Sequence, residues 1–161
     1  MGLFDFLKSA GAKALTKKNA KTIKTPETIK LEEEILNKQK LVLLKGIVDS
    51  LGIKVANLSL DLNGEKVTVY GQTKTQSEKE KVILAIGNVS GISKVDDRIS
   101  VTNPEPEAQF YTVKRGDSLS KISKKYYGDA KKYKVIFEAN KPMLKDPNLI
   151  YPGQVLRIPA I

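Results

Sequence analysis

The chain has no cysteine and no histidine among its 161 residues, and each absence removes chemistry. Without cysteine there are no disulfides, no thiolate metal sites and no Cys–His nucleophile. Without histidine the commonest metal ligand and general base is missing, which excludes Ser–His–Asp catalysis and histidine-bound zinc. Long apolar runs are absent too, and none approaches the roughly 20 residues that span a bilayer as a helix. The opening Met1-Gly2-Leu3-Phe4-Asp5-Phe6-Leu7-Lys8 lacks the basic start, sustained apolar core and cleavage site of a secretory leader. A myristoylation pattern fails at Phe6, where Ser or Thr is required. The expectation is a cytoplasmic protein with no membrane span.

What is there describes a folded, basic chain. Hydrophobic residues at 40% beside 29% charged residues suit packed domains and argue against a disordered tail. The net charge of +10 is carried by the two ends, since residues 1–45 contribute +5 and residues 110–161 contribute +7, while residues 46–103 are neutral. No aromatic-interleaved basic motif or helix-turn-helix pattern accompanies the lysines, so they read as a solvated surface and no nucleic-acid partner is expected. A basic nucleic-acid or lipid-surface binder using Lys13–Lys24 and Lys121–Lys134 is the minor alternative.

Along the chain, Leu3, Phe4, Phe6, Leu7, Ala10, Ala14 and Leu15 fall near helical spacing and predict a short helix that docks Phe4 and Phe6 onto the next domain. Residues 16–28 read as a solvated connection. Leu31, Ile35, Leu41, Leu44, Ile47, Val48 and Leu51 predict one or two helices ending near Gly52. Alternation over residues 57–62, then Asn63-Gly64 and Val67-Thr68-Val69-Tyr70, predicts a β-hairpin. Thr75-Gln76-Ser77-Glu78 is a capping box for a helix with Val82, Ile83 and Ile86 inward, and Val95, Ile99 and Val101 predict a third strand. Asn103-Pro104-Glu105-Pro106-Glu107 is a linker. The remainder reads as strand, helix, helix, strand, with Gly128 as a C-cap. The chain is therefore expected to be α+β, in two small domains at 29–103 and 110–161, joined by 104–109 and preceded by a helix and basic connection at 1–28.

The stretch Ala85-Ile86-Gly87-Asn88-Val89-Ser90-Gly91-Ile92 is the end of a helix, a glycine-bracketed turn and the entry to a strand. The last carbonyls of a helix have no intrahelical partners and carry the negative end of its dipole. With no carboxylate, Cys or His in the turn, any ligand there would be held by backbone oxygen, and a weakly hydrated cation is the natural guest. On these residues alone a plain C-cap is the simpler account. Asp96-Asp97 and Glu32-Glu33-Glu34 are the paired carboxylates, but neighbours on a strand point to opposite faces and a Glu run on a helix is usually solvated. No catalytic set surrounds either, so no enzyme is expected.

Residues 110–159 resemble a LysM domain through Tyr111-Thr112-Val113, Gly116-Asp117-Ser118-Leu119, Ile122, Tyr127-Gly128, Ile136, Ala139-Asn140 and Tyr151-Pro152-Gly153-Gln154-Val155-Leu156-Arg157-Ile158. The preceding unit resembles a BON domain in element order, in Val67-Thr68-Val69-Tyr70-Gly71, and in Val89-Ser90-Gly91-Ile92 before Val95-Asp96-Asp97. With Met1-Gly2-Leu3-Phe4, BON followed by LysM resembles the small cytoplasmic bacterial potassium-binding proteins. That resemblance implies K⁺ as the ligand, held by the backbone carbonyls of Leu7, Ala10, Ala12, Gly87, Val89 and Ile92, in a monomeric, non-enzymatic sensor or buffer that becomes more compact on binding. LysM domains generally bind N-acetylglucosamine-containing glycans, which implies an alternative, a peptidoglycan-type binder with a groove at Gly116, Asp117, Ser118, Leu119 and Ile150. In a chain with no export signal the LysM domain can instead be retained as a docking partner for the BON unit, and a downstream protein is the other candidate partner.

Overall fold

A computed structural model of the chain describes residues 2–6 and 25–161. Strand β1 (Leu3–Asp5) comes first, then helix α1 (Pro26–Ser50), hairpin strands β2 (Ala56–Asn63) and β3 (Lys66–Thr75), helix α2 (Gln76–Gly87) and strand β4 (Lys94–Asn103). The second unit is β5 (Gln109–Thr112), α3 (Leu119–Tyr127), a 3₁₀ turn (Ala130–Lys132), α4 (Tyr133–Ala139) and β6 (Val155–Ile158). Both expected element orders are present, and the α+β class holds.

The first unit is a four-stranded sheet in the order β1-β4-β3-β2. Gly64-Glu65 makes the two-residue β2–β3 turn between the paired Asn63 and Lys66, with Gly64 at φ 62°, a conformation that costs a residue without Cβ nothing. β3 and β4 run parallel, so the chain must cross over between them, and α2 is that crossover. Thr75 opens α2 with the expected capping box: its side chain accepts from the Glu78 N–H (3.2 Å), and Glu78 accepts from the Thr75 N–H (3.1 Å). Val67 and Val69 on β3, and Val95 and Ile99 on β4, are buried together with Val82, Ile83 and Ile86 of α2. Full burial of each such side chain contributes roughly 1.5–3 kcal/mol relative to exposure.

Asp97 lies on the same inward face, between Val95 and Ile99, and is 1% exposed. Its carboxylate takes the Lys79 ammonium at 2.8 Å and the Ile99 N–H at 2.9 Å, so its charge is buried with partners. Asp96 turns the other way to Arg98 and Lys66, as strand alternation requires.

Helix α1 is a single helix, beginning at Pro26 behind the Thr25 N-cap, earlier than the spacing of its apolar residues suggested. It continues through Gly46, where an added Cβ would meet nothing within 4 Å. Its C-terminal half docks through Leu44 and Val48, while Leu31, Ile35 and Val42 remain exposed.

The amino terminus corrects an expectation. Residues 3–5 form a strand antiparallel to β4, with Leu3 opposite Asp96 and Phe4 opposite Val95, and not the start of a helix. So few residues cannot fix a period, and the outer edge of β4 supplies hydrogen-bonding partners that a helix could not use. The Asp97 N–H donates to the Gly2 carbonyl at 2.8 Å. Docking itself is as expected: Phe6 is buried in the first core, and the Phe4 ring lies 5.4 Å from that of Phe110. The remainder of the expected helix lies outside the described residues.

In the second unit β5 and β6 pair antiparallel, and α3 and α4 close over Val113, Leu119, Ile122, Ile136, Leu144, Leu156 and Ile158. Ser118 caps α3 at its start, and Gly128 ends it at φ 72°, as the pattern predicts. The two units share surface: Val155 of β6 belongs to the first core, with Phe110 and Met143 packed against it.

Candidate functional site

The turn after α2 is shaped by a chain of backbone hydrogen bonds. Asn88 N–H donates to the Leu84 carbonyl (3.0 Å), Val89 N–H to Ile86 (3.1 Å) and Ile92 N–H to Val89 (3.2 Å). Gly91 sits at φ 92°, which a side chain would resist, and reverses the path so that Ile92 returns to the core at 3% exposure. Ser93 N–H is then held by the Glu65 carbonyl at 2.9 Å. Among the described residues no backbone N–H reaches the carbonyls of Gly87 or Ile92. The Val89 carbonyl accepts one hydrogen bond and keeps a second lone pair.

The amino-terminal strand ends on this turn. Phe6 N–H donates to the Ser93 carbonyl at 2.6 Å, and the tip of the Phe6 ring is set against Gly87. A Cβ built on Gly87 would stand 1.9 Å from the ring's Cζ and 2.1 Å from Cε1. Glycine at 87 is thus required by the close approach of Phe6. Leu7, Ala10 and Ala12 lie outside the described residues, so of the six expected ligand carbonyls the structure places Gly87, Val89 and Ile92 together at one turn. Phe6, the residue preceding Leu7, stands against that turn. Among the described residues there is no group of three or more Asp and Glu residues that could hold a metal ion by side chains.

Two residues that sequence reasoning passed over tie this region to the second unit. Asn88 exchanges two hydrogen bonds with the Val155 backbone: its Nδ2 donates to the Val155 carbonyl (2.9 Å) and its Oδ1 accepts from the Val155 N–H (2.8 Å). Glu80, 4% exposed, accepts from Gln76 Nε2 (3.1 Å), the Ala108 N–H (2.9 Å) and the Arg157 guanidinium. Apart from Gln76, their partners lie 28, 67 and 77 residues away in sequence, so no local pattern could have exposed either role.

Of the residues expected to line a glycan groove, Gly116, Asp117 and Ser118 form the turn before α3, Leu119 opens that helix and Ile150 lies ahead of β6, and the polar groups of the turn are engaged internally. Asp117 Oδ2 accepts from the Tyr111 hydroxyl (2.6 Å) and from the Lys114 N–H (2.8 Å). That hydroxyl bond is the main reason the Tyr111 phenol is pushed up to about 12 and the Asp117 carboxyl is held below its ordinary range. Ser118 Oγ caps α3, Leu119 is buried, Gly116 gives its carbonyl to Lys121 Nζ at 2.9 Å, and Ile150 is half-buried against the core.

The fold is that of a two-module chain: residues 43–103 match the BON domain and residues 111–159 match the LysM domain. The chain belongs to the family of the Escherichia coli O6:H1 strain CFT073 protein named Potassium binding protein Kbp, to which it is 46% identical over 159 residues, 99% of each chain. It is also similar to an uncharacterised protein of Deinococcus radiodurans (36% over 120 residues, 66% of this chain and 47% of the other). An endolysin of Bacillus phage B103 is 30% identical over 105 residues, 65% of this chain and 37% of its own. Among the described residues no helix is long and apolar enough to cross a membrane.

Two outcomes test this geometry. Gly87→Ala should destabilise the first unit by about 1–3 kcal/mol in urea unfolding through overpacking against Phe6. In a Phe6→Ala background the same change should be neutral or slightly stabilising, because alanine is the better helix former. An equal cost in both backgrounds would contradict the contact. For Tyr111, the ordinary phenol value is about 10. A raised folded-state value means that the stability from its hydrogen bond is intact below pH 10 and lost as the pH rises through about 12. An alkaline titration followed by tyrosinate absorbance should show a late-ionising component that moves toward 10 in Asp117→Asn.

Proposed function

We propose that this chain is a non-enzymatic cytoplasmic K⁺-binding protein, a sensor or buffer that takes the ion on backbone carbonyls of the amino-terminal segment and the BON turn. The ligands are the carbonyls of Leu7, Ala10, Ala12, Gly87, Val89 and Ile92. The observation that carries this reading is the docking of Phe6 on Gly87 and Ser93, which brings the residue next to Leu7 against the turn. The relative's printed name, Potassium binding protein Kbp, over 99% of both chains, supplies the ion.

The chemistry is coherent. Carbonyl oxygens can replace the hydration shell of K⁺, whereas Mg²⁺ dehydrates reluctantly and Ca²⁺ sites draw on carboxylates that this turn lacks. The carbonyls at the end of α2 lie at the negative pole of its dipole, which adds attraction without a charged side chain. An ion bridging the amino-terminal segment and the turn binds only when the two are together, so it favours the compact arrangement of the chain by mass action. The LysM domain acts in this reading as the part that docks on the BON unit, and the internal engagement of Asp117 and Ser118 gives the glycan alternative less to work with.

Thermal unfolding in KCl against NaCl at matched ionic strength tests the reading. At a hundredfold excess over Kd the ion should stabilise by about 2.7 kcal/mol, a rise in Tm of roughly 5–10 °C for a chain of this size. The same Tm in both salts would remove K⁺ as the specific ligand.

A further inference from the structure

β6 is an edge strand. β5 pairs with one side of it, and Val155 and Arg157, two residues apart, present their N–H and C=O groups on the other. Unpaired groups along an edge need cover, and two asparagine amides provide it. Asn140, from the same domain, donates to the Arg157 carbonyl (2.8 Å) and accepts from the Arg157 N–H (2.7 Å). Asn88 does the same for Val155 at 2.9 and 2.8 Å, but it belongs to the BON unit and stands inside the candidate ion turn, between Gly87 and Val89.

We propose that Asn88 is the positioning residue that couples ion binding at the turn to docking of the LysM domain, by presenting its amide to the Val155 edge of β6. This inference rests on the K⁺ reading. The Gly87 carbonyl and the Asn88 N–H belong to one rigid peptide plane. The Asn88 N–H side of that plane is held by the Leu84 carbonyl at 3.0 Å, and an ion on the Gly87 oxygen holds the other side, stiffening the plane from which the Asn88 side chain projects. The amide then meets both Val155 groups at once, and an error in direction loses two hydrogen bonds together. Met143, whose Sδ lies 3.3 Å from Asn88 Nδ2, packs beside the same contact. At the far end of the α2 face, Glu80 holds Ala108 and Arg157 independently, so cutting Asn88 releases Val155 locally while the domains stay together.

The coupling is reciprocal: whatever factor the ion adds to docking, docking adds to ion affinity. Asn88 has φ −79° and ψ −1°, a conformation alanine adopts without strain, so Asn88→Ala removes the amide and leaves the backbone in place. The test uses the full chain, labelled with ¹⁵N, with amide exchange at Val155 and Arg157 followed in matched KCl and NaCl, beside calorimetric K⁺ titration. In the parent protein K⁺ should slow Val155 exchange at least about tenfold relative to Na⁺. In Asn88→Ala, K⁺ should still bind, about fivefold or more weakly, at the low end of typical coupling. Val155 exchange should no longer respond to it, while Arg157, held by Asn140, keeps its protection. An ion response at Val155 that survives the substitution, or an unchanged K⁺ affinity, overturns the coupling and leaves the ion reading standing. Loss of protection at Arg157 as well makes Asn88 a general structural residue and also overturns it. A parent protein that does not distinguish K⁺ from Na⁺ in calorimetry defeats the ion reading, and this inference with it.

Discussion

The contact of Phe6 with Gly87 is the constraint on which the rest depends. A benzyl ring lies where any side chain at 87 would have to be, and that fit joins three things that are far apart in sequence. It anchors the end of β1, which completes the sheet beside β4. It places the amino-terminal chain at the C-terminus of α2, where carbonyls lack partners. It also adds a buried ring to the first core, the cluster that holds Ile86 and Ile92. A larger residue at 87 would push the ring out and separate the turn from the segment proposed to share its ligand.

Helix α2 carries the second half of the organisation. Its residues 80 and 84 and its C-cap residue 88 fall on one face, four apart. Glu80 reaches Arg157 and the linker, Leu84 is buried, and Asn88 takes the Val155 backbone. The opposite side of the same helix packs Val82, Ile83 and Ile86 into the BON core, and Lys79 neutralises the buried Asp97. One helix therefore serves as crossover of the sheet, bearing surface for the LysM domain and source of the candidate ligand carbonyls. Both domains therefore rest on the same helix.

How far the residues alone can be read depends on the reach of each interaction. The capping box at Thr75 and Glu78, the hairpin at Asn63-Gly64 and the left-handed C-cap at Gly128 are decided within four residues, and each is found where expected. The two domains were legible because their apolar periods and turn residues agree over long stretches. Phe4 and Phe6 were legible as docking residues from the cost of leaving two rings in water, but their strand conformation was not, since β4 decides it from ninety residues away. Asn88 was invisible for the same reason: an asparagine at a helix end looks like an ordinary cap, and its partner Val155 lies 67 residues on. Carbonyl ligation is harder still to read, because every residue has a carbonyl and only the fold decides which ones are left without donors.

The ion and its location are the central claim, and direct observation of a bound K⁺ mimic addresses both. Crystals of the full chain soaked with thallium(I), which has a charge and size close to those of K⁺, would reveal the ion by anomalous scattering. One strong peak is expected within coordination distance of the carbonyl oxygens of Gly87 and Ile92, with no carboxylate among its ligands, and it should be lost when excess K⁺ competes. A peak held by side-chain carboxylates, or one lying in the LysM domain away from the turn after α2, would contradict it.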